Sequence, residues 1–110
     1  MGTFIKGDIV VIPFPFSNLS GSKRRPALVL TDLNGDDILL CQITSKANDT
    51  NAISITKQDF TLGSLPIDSY VRPLRIFTAD KNIIIRKAGV INKRKFNNVI
   101  DIIINNIKHI

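Results

Sequence analysis

Arg24 and Arg25, followed at once by Pro26, and Thr44 with Ser45 are side chains whose types could handle an anion. A guanidinium stays ionised and presents a planar fork that matches two phosphate or carboxylate oxygens. Pro26 fixes its own φ and restricts the residue before it, which helps to aim Arg25. A threonine hydroxyl can donate a further hydrogen bond. Strand alternation puts Gln42 and Thr44 on one face, with Cys41 and Ile43 on the other. Threonine is also an ordinary strand residue, and an arginine beside Lys23 and Arg24 can be a solvated loop cation. The pattern alone leaves both readings open.

Other chemistries are excluded by composition. One cysteine, Cys41, cannot form an internal disulfide, and with one histidine, His109, no Cys/His zinc cluster can be assembled. No metal or cofactor is expected. His109 stands one residue from the end and reads as a surface side chain, so no general base is identifiable. A base-binding role falls on the segment after the first strand. Phe14 or Phe16 could stack an unpaired base, and Ser17, Asn18 and Ser20 offer hydrogen bonds to base edges; both phenylalanines can equally be core.

Charge sharpens this reading. Residues 1–70 carry six basic and seven acidic side chains, whereas residues 71–110 carry nine basic and two acidic ones, for a net charge of +6. An excess on one part of the chain suits a polyanionic partner, either nucleic acid or an acidic protein segment.

The elements that must position these residues are mainly strands. At 110 residues the chain fits one domain, 1–110. Strands are expected at Asp8–Pro13, Ala27–Thr31, Ile38–Ile43, Ala52–Ile55, Tyr70–Phe77 and Ile83–Ile91, the last kinked at Gly89. Asn34-Gly35 is the strongest hairpin signal. Short strands with regular turn signals predict a barrel or sandwich. The period then changes. Phe96, Val99, Ile100, Ile103, Ile107 and Ile110 form one helical stripe behind Asn92, a plausible N-cap. Lys93, Arg94 and Lys95 sit at the positive end of that helix, a local conflict that can mark a binding surface. Ile102 and Ile104 widen the apolar face beyond what one core needs, which suggests a second subunit. Lys6, Gly7 and Asp8 interrupt any leader-like start, and no apolar run reaches the roughly 18 residues of a membrane span. A soluble, cytoplasmic protein is expected.

Taken in order, these segments resemble the PemK/MazF toxins. Lys6-Gly7-Asp8-Ile9-Val10-Val11, a polar loop and Arg25-Pro26-Ala27-Leu28-Val29-Leu30 are similar to that family's opening. Cys41-Gln42-Ile43-Thr44-Ser45 resembles its third strand, and Arg75-Ile76-Phe77-Thr78-Ala79-Asp80 its later Arg-Thr-Ile-Asp segment. The resemblance implies an SH3-like small β-barrel of the CcdB/PemK type with a C-terminal helix. It also implies a homodimeric type II toxin that cuts single-stranded RNA by 2′-hydroxyl attack without a metal. A cognate antitoxin with an acidic C-terminal segment is the implied protein partner. Arg25 and Thr44 then match the catalytic positions. Phe16, Ser17, Asn18, Lys23, Arg24, Ser45, Arg72 and Arg75 are expected to bind RNA. The chain departs from some relatives in having no histidine in the first loop and Leu74 where an acid lies. Two other readings remain: a gyrase-binding toxin of the CcdB type, and a non-catalytic barrel that binds nucleic acid or an acidic peptide.

Overall fold

In a computed structural model, which describes residues 3–14 and 23–108, the chain is a curled antiparallel half-barrel of seven strands with a C-terminal helix. The strands are β1 (Asp8–Phe14), β2 (Lys23–Asp32), β3 (Asp37–Thr44), β4 (Ile53–Ile55), β5 (Phe60–Gly63), β6 (Ser69–Asp80) and β7 (Arg86–Ile91); the helix is α1 (Lys93–Lys108). Their order in the sheet is β4-β6-β3-β2-β1-β7-β5. Every expected strand is present, and the expected barrel takes this open, curled form.

The central strands are Val-, Ile- and Leu-rich because they bury both faces. One core holds Ile9, Leu28, Cys41, Ile43, Val71 and Val99 and is closed by α1. The other holds Val10, Ile12, Ala27, Val29, Ile38 and Leu40, packed against Phe14, Phe77, Ile83 and Ile84. Phe14 and Phe77 lie with ring centroids 6.0 Å apart. Phe14 is thus a core residue, whereas Phe16 lies outside the described residues. Burial pushes the Cys41 thiol up to about 12, which keeps it inert.

The Gly7-Asp8 pair that carries part of the resemblance is structural. Gly7, at φ +94°, donates its N–H to Val29 and accepts from Ile91, at 3.1 and 3.0 Å. It thereby ties β1 between β2 and β7. The Asp8 carboxylate is fully buried and accepts the Ile5 N–H at 3.0 Å. The Asn34-Gly35 turn also forms, with Asn34 in the left-handed region at φ 59° and its N–H held by Asp32 at 2.8 Å.

Three expectations are revised. The strand expected from Ile83 starts at Arg86, because the Asp80 carboxylate takes the Asn82 N–H at 2.8 Å and turns Lys81–Ile83 into a short 3₁₀ turn. Ile83 and Ile84 then cover the second core. β5 was not anticipated. It is four residues long and depends on Gly89, where any Cβ would stand 2.5 Å from the Leu62 carbonyl oxygen. Ile107 belongs to the helical stripe but is 68% exposed, since among the described residues of the stripe only Phe96, Val99, Ile100 and Ile103 reach the core; Ile110 lies outside the described residues. The Asn92 cap is present, its side chain accepting the Lys95 N–H at 2.8 Å.

Candidate functional site

At one end of the half-barrel lies a cleft of about 310 Å³ in which Arg24, Arg25, Pro26, Thr44, Ser45 and Arg86 meet. Its apolar side is built from Val11, Ile43, Leu65, Pro66 and Ile67. Strand register explains why residues so far apart in sequence converge. Ala27 pairs with Gln42 and Leu28 with Cys41. By strand alternation Arg25 shares the face of Ala27 and Thr44 that of Gln42, so the pairing of Ala27 with Gln42 puts Arg25 and Thr44 on the same side of the sheet. Arg24 and Pro26 turn to the opposite face, that of Leu28. On β1, Val11 pairs with Pro26 on one side and with Arg86 of β7 on the other. Arg86 therefore arrives on the Arg24 side of the cleft.

Electrostatically the cleft is uncompensated. Among the described residues no carboxylate pairs with Arg24, Arg25 or Arg86; the ion pairs are Arg72–Asp49, Lys81–Asp32, Lys87–Asp8 and Lys95–Asp59. Among the described residues no carboxylate or imidazole lines the cleft. The three guanidinia and the hydroxyls of Thr44 and Ser45 can bind and stabilise an oxyanion, while the third hydroxyl, that of Ser69, donates to the Ile67 carbonyl; none is a proton acceptor of ordinary basicity.

Thr44 is not idle in this state. Its Oγ1–H donates to the Lys46 carbonyl at 2.9 Å, and its Oγ1 accepts the Lys46 N–H at 3.2 Å. The hydroxyl thus closes the turn after β3 and must exchange the Lys46 carbonyl for a ligand oxygen in order to donate to it. Both are single hydrogen bonds, so the exchange costs little net.

Other expected residues lie elsewhere. Arg72 donates its Nε–H to Asp49 at 2.9 Å and a second N–H to Gln42 at 3.4 Å. The Arg72 guanidinium in turn holds the Asp49 carboxyl below the usual carboxylate range. Arg75 is exposed, beside a break in pairing where the register of β6 on β3 jumps between Arg72 and Ile76. Lys23 is exposed opposite Phe14, outside the cleft. Ser17, Asn18, Ser20 and His109 lie outside the described residues. Lys95 is tied to the Ser54 carbonyl at 2.9 Å, and Lys93 flanks a separate hollow with Lys6 and Phe96. The three cations of the helix start therefore do not act as one patch. Pro66 and Ile67, which line the cleft, were not singled out from the sequence, where the signal available was an apolar Leu-Pro-Ile run inside a loop; Arg86 counted there only as part of the basic second half.

The sequence matches the model of the PemK-like, MazF-like toxin of type II toxin–antitoxin systems over residues 5–107. The chain belongs to this family. No curated protein matches it in sequence. Solved structures share its fold at low identity. MazF from Deinococcus radiodurans superposes with a TM-score of 0.77 at 16% identity, covering 99% of this chain and 100% of that one. A MazE–MazF structure from the same organism gives 0.79 at 16%, again over 99% and 100%. An endoribonuclease in complex with its cognate antitoxin from a mycobacterial species gives 0.75 at 13%, over 98% and 96%. This member of the PemK/MazF family shares the fold of those structures and itself carries, at one end of the half-barrel, a cleft lined by three arginines. No helix among the described residues is long and apolar enough to cross a membrane.

Proposed function

We propose that this chain is the toxin of a type II toxin–antitoxin pair, acts in the cytoplasm, and cuts single-stranded RNA with Arg25 and Thr44. The observation that carries this reading is the meeting of Arg25 and Thr44 on one strand face, in a cleft free of carboxylates. In the proposed step the ribose 2′-oxygen bonds to the adjacent phosphorus and the 5′-oxygen leaves. The phosphorane between them carries extra negative charge. Arg25 offers that charge two aligned donors, and Thr44 offers a third once it releases Lys46. Solvent takes the 2′-hydroxyl proton and returns one to the departing 5′-oxygen, since no lining side chain among the described residues is a base, so rate enhancement rests on electrostatic stabilisation and positioning. Similar structures point the same way: one is an endoribonuclease with its cognate antitoxin and another is MazE–MazF.

The cationic cleft also fits an acidic antitoxin segment, so RNA and antitoxin should compete and both should weaken as salt rises. A homodimer is supported by the apolar surface left on α1, where Ile104 and Ile107 are exposed. Sedimentation at micromolar concentration checks it, and a monomer there removes the dimer. Purified protein, incubated with single-stranded RNA in the presence of a chelator, tests the catalytic reading. Specific cuts with cyclic phosphate ends are expected; intact RNA sinks the proposal and leaves the gyrase-binding or purely binding readings.

A further inference from the structure

The cleft extends past Arg25 and Thr44 to a second half whose chemistry the cleavage step does not use. Leu65, Pro66 and Ile67, in the loop between β5 and β6, form its wall, and Arg86 faces them. This loop is held in place. Leu65 is anchored in the core, Pro66 has a fixed φ, and the Ser69 hydroxyl donates to the Ile67 carbonyl at 2.9 Å. Ile67 is nevertheless 63% exposed. A pinned, exposed, branched apolar side chain beside unpaired guanidinia matches a ligand that is flat and apolar on one side and anionic on the other. A nucleotide of a single strand has that form, because its base is unpaired and its phosphate charged. A preordered surface loses little entropy on binding it.

We propose that Pro66 and Ile67 form the packing surface for the base next to the scissile phosphate, with Arg86 holding that nucleotide's own phosphate, so that this loop helps to set which base is accepted. The inference rests on the ribonuclease reading for the identity of the strand, and on geometry for the subsite. An acidic peptide would satisfy Arg86 and Arg24 but has no planar face to lay on Pro66 and Ile67, which favours RNA.

The test uses the full chain and a fluorescent, mixed-sequence single-stranded RNA with 2′-fluoro sugars, which cannot be cut by 2′-oxygen attack. Ile67→Ala should weaken binding by about tenfold, equivalent to about 1.4 kcal/mol, with the salt dependence as in wild type. Arg86→Gln should weaken binding and reduce the slope of log K against log salt by about 0.7, the value for one phosphate on a single strand. Arg86→Lys should restore the slope. Both side chains are exposed, so melting temperatures should stay at the wild-type value. On cleavable RNA, Ile67→Ala should accept more base identities beside the cut. Wild-type affinity and slope in both Ile67→Ala and Arg86→Gln would overturn the subsite, even where RNA is still cut. RNA bound in an Ile67- and Arg86-dependent way but never cut would instead overturn the ribonuclease reading and keep the subsite. A Glu/Leu peptide that loses affinity in both variants while the RNA does not would assign the loop to a protein partner and overturn the proposal.

Discussion

Two arginine settings in this small protein differ in a way that separates structure from function. Arg72 is paired: Asp49 at 2.9 Å and Gln42 at 3.4 Å occupy its fork. Arg24, Arg25 and Arg86 share one cleft and, among the described residues, meet no carboxylate. A compensated guanidinium adds little field and tethers the loop that carries Asp49. An uncompensated cluster costs self-repulsion in the free protein and is relieved when a polyanion enters. On the proposed reading, Arg72, already paired with Asp49, would act as scaffold beside the site, and the cleft arginines would meet the ligand.

The largest effect that would break this comparison is at Arg25. Arg25→Ala should lower RNA cleavage by at least about 100-fold, the scale of one lost oxyanion donor, with thermal stability kept because the side chain is exposed. Arg25→Lys should recover little of it, since an ammonium has no fork. Cleavage kinetics on a defined oligonucleotide measure both, and full activity in Arg25→Ala removes the centre of the mechanism.

Thr44→Val comes next. It keeps the branched shape but loses the hydroxyl, so turnover should fall by about tenfold or more while RNA binding is largely kept. Because the same hydroxyl closes the turn at Lys46, stability should also drop by about 1 kcal/mol. Weaker binding at unchanged turnover would make Thr44 a substrate-binding residue instead.

Arg72→Gln should affect RNA affinity less than Arg25→Ala or Arg86→Gln and barely change the salt slope, because the charge it removes is already balanced by Asp49. A salt slope reduced as much as in Arg86→Gln would erase the distinction between the two settings.

The smallest effect is a pH signature of the paired setting. Arg72 lowers the carboxyl of Asp49, and Lys81 and the Asn34 N–H lower that of Asp32. A carboxyl depressed in the folded state stabilises it fully above its unfolded value, near about 3.9. That stabilisation is lost as pH falls from there through the lowered folded value. Urea midpoints should therefore decline over this acid range. Asp49→Asn should remove part of the decline and, by leaving Arg72 uncompensated, strengthen RNA binding slightly. An unchanged acid profile in Asp49→Asn would show that the pair is not a feature of the folded state in solution.

Local sequence was enough for the features whose causes are local. The β-branched runs read as strands because they bury both faces. Asn34-Gly35 read as a turn because those residues tolerate φ > 0, and Asn92 read as a cap because its side chain reaches an N–H three residues on. Arg25 and Thr44 were singled out by an ordered set of short motifs, and the fold brings both to one cleft. What tertiary structure alone decided was which cations are free. Arg72 and Asp49 are 23 residues apart, and only the fold brings them together. Arg86 joins Arg24 only because β1 lies between β7 and β2. The edge strand β5 and the shelf at Pro66 and Ile67 have no periodicity to announce them; they exist because backbone can approach Gly89 closely and because Leu65 finds the core. Propensity and periodicity are carried by neighbours in the chain, whereas charge compensation and cleft shape are set by register between distant strands.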